Sequence, residues 1–440
     1  MKKTNFIALG FSATVLTGSL LFVPSLFAKE EAAAADDVAV QTSRLQSLAK
    51  FTKVLGLVEK YNVDPVTIEE LMDKALGGML TNLDAHSTFL NAKHFESMKV
   101  QTDGEFGGLG ITVGIKDGAL TVIAPIEGTP ADKAGLKASD IILKINEQST
   151  LNMTIDDAVN IMRGKKGTPI NLTIIRKNAL KPLNIDIVRD IIKIQSVYAK
   201  NIGDDILYLR VTSFDKKVVD GIVKELKKAS NKNKGIVLDL RNNPGGLLDQ
   251  AVGLVDLFID KGIIVSQKGR DKSEEKVYSA TASGTFKDIP LVVLVNEGSA
   301  SASEIVSGAL QDHKRGIIIG ENTFGKGSVQ VILPITDEEA IKLTIARYYL
   351  PSGRTIQAVG VKPDVLVQAG EIKTHDNGFS IKEADLKKHL EGELAKIEGE
   401  TPEKEKKESS DTIIEEDLNK DLQLKEAVAI TKALQIMKGR

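Results

Sequence analysis

The chain has 440 residues, 58 of them basic and 60 acidic, for a formal net charge of −2. Its 42% hydrophobic content is enough for ordinary cores in two or three domains of ~100–200 residues each. There is no cysteine, which excludes a thiol nucleophile, disulfides and a thiolate zinc site, and the near-neutral charge gives no footprint for nucleic acid.

Met1-Lys2-Lys3 followed by the uncharged run 4–28 has the form of a secretory signal. Ala28 suits the last residue of a cleaved signal, but Leu26 is large for the position two before it. The run also reaches the ~20 residues that span a bilayer. Residues 1–28 therefore read as a signal peptide or a membrane anchor. Either places the rest of the chain outside the cytoplasm, in a bacterial periplasm or cell envelope, free or anchored at the inner membrane.

Residues 36–97 follow with helical spacing. Leu45, Leu48, Phe51, Val54, Leu57 and Val58 recur at three and four residues, and a second run covers 66–83. Residues 98–189 change character. Ile111, Val113 and Ile115 alternate like a half-buried strand, further strands are expected at 120–124, 141–145, 170–175 and 183–188, and Thr154 with Asp157 marks the start of one helix. Residues 190–368 alternate strands with helices, the pattern of an α/β layer fold. Residues 369–440 hold a charged linker, 400–411, and a helical segment, 417–438, expected to pack on the body or on a second subunit.

Two motifs carry chemistry. Ser301 lies in Gly298-Ser299-Ala300-Ser301-Ala302-Ser303-Glu304, after the apolar strand 291–295 and at the start of a helix. Free N–H groups there favour developing negative charge, although serines in such a run also serve as caps. Lys326 lies in Thr323-Phe324-Gly325-Lys326-Gly327. Burial would favour its neutral form, which can take the serine's proton. Strand alternation puts Lys326, Ser328 and Gln330 on one face, so Gln330 is expected to hold the amine. Residues 320–326 also fit the first seven positions of a phosphate-binding P-loop, but Gly327 replaces the Ser or Thr and a strand follows instead of a helix. His313 falls ~15 Å along the helix that Ser301 opens, and His86 is expected in another domain. No histidine has metal-ligand spacing, so no metal is expected. Oxyanion donors are sought at the Ala302 N–H and at Gly245 or Gly246, where Asp239-Leu240-Arg241-Asn242-Asn243-Pro244-Gly245-Gly246 ends a buried strand.

These residues resemble the carboxyl-terminal processing, or tail-specific, proteases from about residue 85 to 364. The likeness rests on D-L-R-N-N-P-G-G-L-L at 239–248, G-S-A-S-A-S-E-I at 298–305 and T-F-G-K-G-S-V-Q at 323–330. The resemblance implies a multidomain α/β protein with a crotonase/Clp-protease-like peptidase core, a β-rich PDZ domain and helical N- and C-terminal segments. It implies Ser301 as nucleophile, Lys326 as general base and Gln330 as its support. Gly107-Gly108-Leu109-Gly110-Ile111 resembles the PDZ loop that holds a peptide's terminal carboxylate, with Ala158, Ile161 and Met162 as candidates for the groove's apolar lining.

The reading is a serine endopeptidase that cuts extracytoplasmic proteins near their C-termini, with the PDZ domain capturing the terminus and gating activity, and with no cofactor. Its partners are proteins or peptides with accessible C-termini. An adaptor protein and self-association through the terminal helices stay open. The alternative is a non-catalytic PDZ scaffold on a hydrolase-like body. A crotonase-type acyl-CoA enzyme is disfavoured because CoA substrates are cytoplasmic.

Overall fold

The computed structural model describes residues 25–116, 118–177, 179–229, 234–282, 286–372 and 412–438, with 25–40 as backbone only. The run 4–24 and the linker 400–411 lie outside these residues. Among the described residues no helix is long and apolar enough to cross a membrane. The chain divides into two compact units, residues 1–79 and 80–440. The first holds helix α1 (Ser25–Tyr61) and most of α2 (Ile68–Thr81), where the helical spacing placed helices. Leu45, Leu48, Phe51, Val54, Leu57 and Val58 of α1 are exposed.

The second unit opens on β1 (Thr88–Leu90) and α3 (Ala92–Asp103), which runs past the expected boundary at residue 97. Asn91 caps the start of α3 and Gly104, in the left-handed region at φ 66°, ends it. Then β2 (Glu105–Gly108) pairs antiparallel with β9 (Asp190–Lys193), so the entry and exit of the β-rich module form a two-stranded ribbon. The module is a six-stranded sheet: β3 (Ile111–Lys116), β4 (Ala119–Pro125), β5 (Ile141–Ile145), β7 (Pro169–Ile175) and β8 (Leu183–Val188) in that order, with β6 (Gln148–Ser149) beside β5. Between them lie the short α4 (Pro130–Lys133) and α5 (Ile155–Met162). A capping box between Thr154 and Asp157 starts α5, as the sequence predicts.

The body is built on two sheets. The larger has seven strands in the order β19 (Val365–Leu366), β16 (Ile317–Gly320), β15 (Leu291–Val295), β12 (Gly235–Asp239), β11 (Ile206–Val211), β10 (Val197–Ile202), β20 (Thr412–Ile413). All its pairs are parallel except β10 with β11. Strands β12 and β15 are buried at every position, as expected of continuous apolar runs covered on both faces. Helices α6 (Val218–Ala229), α7 (Leu248–Asp256) and α8 (Ala302–Asp312) contribute to one core, with Phe214, Phe258 and Ile305. The opposite core is closed by α9 (Glu415–Asn419) and α10 (Leu422–Lys438), whose Leu424, Ala427 and Val428 meet Tyr208, Val237 and Val292. The expected C-terminal helix is thus two helices, broken at Lys420 and Asp421, and it packs on its own body. The smaller sheet joins β1, β18 (Ala340–Tyr349), β13 (Ile263–Lys268) and β14 (Lys276–Ser279), with β17 (Ser328–Pro334) along β18.

Candidate active site

The serine run follows from β15 at the point where the chain turns into α8, and its three serines have different fates. Ser299 Oγ donates to Leu240 O at 2.8 Å, and Ser303 Oγ donates to Asn243 O at 2.9 Å. Both are fully buried and bind the turn after β12. Ser301 lines a cleft of about 260 Å³. Its backbone sits at φ 53° and ψ −109°, a region that side-chain-bearing residues rarely occupy. Such strain persists only where the surroundings over-determine it.

Those surroundings centre on Glu304, which is 0% exposed. Its Oε2 accepts from the backbone N–H of Ser301 at 2.7 Å and of Lys326 at 2.9 Å. Its Oε1 accepts from Gly325 N at 2.7 Å and Thr323 Oγ1 at 2.6 Å. One carboxylate therefore holds the main chain at both motif residues. Sequence reasoning gave Glu304 no role, although Ser301-x-x-Glu304 has the spacing of a capping box.

Lys326 lies in the loop before β17 and lines the same cleft. A Cβ at the adjacent Gly327 would come within 2.6 Å of Gln357 N, so only glycine allows that packing. Burial, then the nearby charge of Lys342, hold the Lys326 amine below the ordinary lysine value, with Glu304 opposing. Gln330 also lines the cleft, but its amide donates to Ser328 Oγ at 2.9 Å and Thr344 Oγ1 at 3.3 Å and not to the lysine. Lys326, Ser328 and Gln330 do share the cleft face, as alternation predicts, and the amide is engaged by its same-face neighbour Ser328 and its cross-strand partner Thr344.

His86 also departs from expectation. It belongs to a turn docked on β18 of the α/β body. Asp84 Oδ1 accepts from Thr344 Oγ1 at 3.1 Å and from the backbone N–H of His86 and Ser87, while Ser87 Oγ accepts from Thr344 N. Burial, then the charge of Lys326, push the His86 imidazole below its usual value. The turn stands one residue behind Gln330, a proximity that comes from the pairing of β1 with β18 and has no local signature. His313 stays at the far end of α8, its Nε2 2.7 Å from Ile263 O. Residues 321–327 run from β16 into β17 with no helix, unlike a P-loop.

Across the cleft, Gly245 and Gly246 have φ values of 101° and 146°. A Cβ on Gly245 would lie 2.9 Å from both Ala302 N and Ser301 Cβ. Its own N–H is taken by Asn243 Oδ1 at 2.9 Å. The N–H groups of Gly246 and Ala302 have no hydrogen-bond partner among the described residues. The two glycines thus differ: Gly245 packs against the serine run, while Gly246, where a Cβ would run into Phe214 O, keeps an unclaimed donor. Met98, Phe214, Leu247, Ile332 and Tyr348 give the cleft apolar walls.

The β-rich module forms its own core. Leu109, Ala158 and Met162 are buried in it, Ile161 packs half-buried against it and Ile111 begins β3. Gly108 closes β2, and Gly110, at φ 79°, accepts from Ile126 N and Thr129 Oγ1 through its carbonyl. Arg189, just before β9, donates to Met162 O at 3.0 Å, Ile161 O at 2.8 Å, Pro169 O at 3.0 Å and Thr168 Oγ1 at 3.0 Å, holding the end of α5. Among the described residues no cluster could hold a metal ion.

Comparison with known proteins matches residues 205–367 to peptidase family S41 and residues 121–176 to the PDZ domain. The chain is 42% identical over 395 residues to a carboxy-terminal-processing protease of Bartonella bacilliformis, covering 88% of each. It is 37% identical over 325 residues to carboxy-terminal processing protease CtpA of Bacillus subtilis, covering 72% of this chain and 69% of that one. A solved photosystem II D1 C-terminal processing protease aligns with 27% identity and a TM-score of 0.42, covering 72% of this chain and 92% of that one.

Proposed function

Because the chain belongs to the carboxyl-terminal processing proteases, serine peptidases of family S41 that carry a PDZ domain, we propose that it cuts proteins near their C-termini with a Ser301–Lys326 dyad. The observation that carries this reading is Glu304, which binds the backbone of both residues at the edge of one cleft. Neutral Lys326 takes the Ser301 proton as Oγ attacks the peptide carbonyl, and later delivers a proton to the leaving amine. The Ala302 and Gly246 N–H groups receive the oxyanion, with Gly245 setting their spacing. Gln330 acts on the lysine side of the cleft through Ser328 and Thr344.

The PDZ domain captures the substrate terminus along β3 and α5 and gates the cleft. The substrates are extracytoplasmic, reached after export or from a membrane anchor in a periplasm or cell envelope. The layered body, a largely parallel sheet beside the sheet of β17 and β18, supports a crotonase/Clp-protease-like assignment. Terminal helices and an adaptor protein are the proposed routes to assembly.

The test is digestion of casein and of a peptide with a free or amidated C-terminus. Ser301→Ala, Lys326→Ala and Lys326→Arg are each expected to lose cleavage, the last because a guanidinium stays charged. The free terminus is expected to be cut faster. Full activity in any of the three variants would refute the dyad.

A further inference from the structure

We infer that Asp421 and Gln423, from the C-terminal segment, are positioning residues for this reaction: through Arg241 they hold the turn that carries the Gly246 donor. The inference rests on the assignment of Ser301 and that turn to catalysis. Arg241 ends the β12 strand motif and precedes Asn242, which takes a left-handed φ of 56°. Its guanidinium is held on two sides. Nε donates to Asp239 Oδ1 and Oδ2 at 3.0 and 3.1 Å, and Nη2 to Asp239 Oδ2 at 2.7 Å. The outer edge donates in parallel to Asp421, Nη1 to Oδ1 and Nη2 to Oδ2, both at 2.8 Å. Nη1 also donates to Gln423 Oε1 at 3.1 Å. Such two-pronged pairs fix direction as well as distance.

The clamp is built on both sides. Tyr208 Oη donates to Asp239 Oδ2 at 2.8 Å, and Arg241 N to Asp239 Oδ1 at 2.9 Å. Asp421 Oδ1 accepts from Leu424 N at 3.0 Å at the start of α10, and the Gln423 amide donates to Val367 O at 2.8 Å. The Arg241 side chain is 14% exposed and that of Asp239 1%. Burial alone would raise the Asp421 carboxyl, but the hydrogen bonds and charge of Arg241 outweigh it and hold it below the usual range.

From Arg241 the order passes along the turn. Asn242 N donates to Asn296 Oδ1 at 2.8 Å, and the Asn243 carbonyl accepts from Ala300 N and Ser303 Oγ. The turn is thus fixed to the serine run from within and to Asp421 from without. The S41 match ends at residue 367, so the outer half of the clamp comes from beyond it.

The experiment measures kcat and KM for Asp421→Ala, Asp421→Asn, Gln423→Ala and Arg241→Lys in the full chain, well below each variant's melting temperature. It also measures inhibition by a peptide aldehyde, to which Ser301 adds its O–H across the C=O so that the former carbonyl oxygen sits where the oxyanion would. Losing an oxyanion donor costs about 100- to 1000-fold. Misplacing one is therefore expected to lower kcat about 10- to 100-fold in Asp421→Ala with KM within about twofold, and to weaken the aldehyde by a similar factor. Asp421→Asn and Gln423→Ala, which preserve part of the clamp, are expected to fall between that variant and the wild type. Should Asp421→Ala fail to fold, those two decide. Wild-type kcat and aldehyde affinity in folded variants would overturn the inference and leave Asp421 as an anchor for the helix. Cleavage by Ser301→Ala would instead overturn the assignment on which it rests.

Discussion

A lysine can act as a base only when its amine releases a proton near working pH, and the setting of Lys326 favours release. Burial and the neighbouring Lys342 charge lower its pKa from the ordinary 10.5. The neutral fraction at any given pH below that value is therefore larger than for a free lysine. With chemistry rate-limiting, kcat/KM is expected to rise about tenfold per pH unit on the acid side and to level off above the lowered value. A profile flat across that range would contradict a lysine base. The same shift has a stability cost. Between the lowered and the ordinary pKa the unfolded chain binds more protons, so the native state gains stability as pH rises through that window. Lys326→Met is expected to abolish cleavage and to raise the melting temperature at neutral pH, measured by scanning calorimetry. Glu304 makes a different prediction. Glu304→Gln puts an amide NH2 among four donors, two of which position Ser301 and Lys326. A loss of about 100-fold in kcat is expected, comparable to a misplacement of about 1 Å.

At the scale of elements, most strands and helices of the body were legible because their patterns are local. The apolar run at β12, the alternation in β3 and the capping box of α5 each declare themselves within a few residues. What could not be read is pairing between distant segments. The ribbon of β2 with β9, the docking of the Asp84–His86–Ser87 turn on β18 and the edge position of β20 leave no periodic mark. The candidate site followed the same rule. Ser301, Lys326 and the glycine pair stand in motifs, while one partner of Gln330, Thr344, comes from the pairing of β17 with β18. Arg189 is another non-local tie. Replacing it by Met leaves the last α5 carbonyls without their donor, at an expected cost of about 2 kcal/mol. Hydrogen exchange would read this as faster opening of α5 amides with β12 unchanged. Equal protection in both forms would contradict it.

At the scale of the whole molecule, the C-terminal segment completes the body. Ile413, Leu418, Leu424, Ala427 and Val428 cover Ile202, Tyr208, Val237, Val292 and Leu294. A chain ending at residue 411 would expose that apolar face, since among the described residues the sheet is otherwise covered on one side only. It is expected to be recovered as aggregate, or as a dye-binding species by ANS fluorescence. A soluble, cleaving product would show that α9 and α10 are dispensable.

The ribbon of β2 and β9 brings the chain's departure from the body and its return side by side, Gly108 opposite Asp190 and Glu105 opposite Lys193. Everything between those strands leaves and rejoins the body through this one ribbon, with Lys93 of α3 bonded to Asp156 of α5 as a further tie. Replacing that segment therefore means preserving both ties, while the body behind them keeps its own chain path.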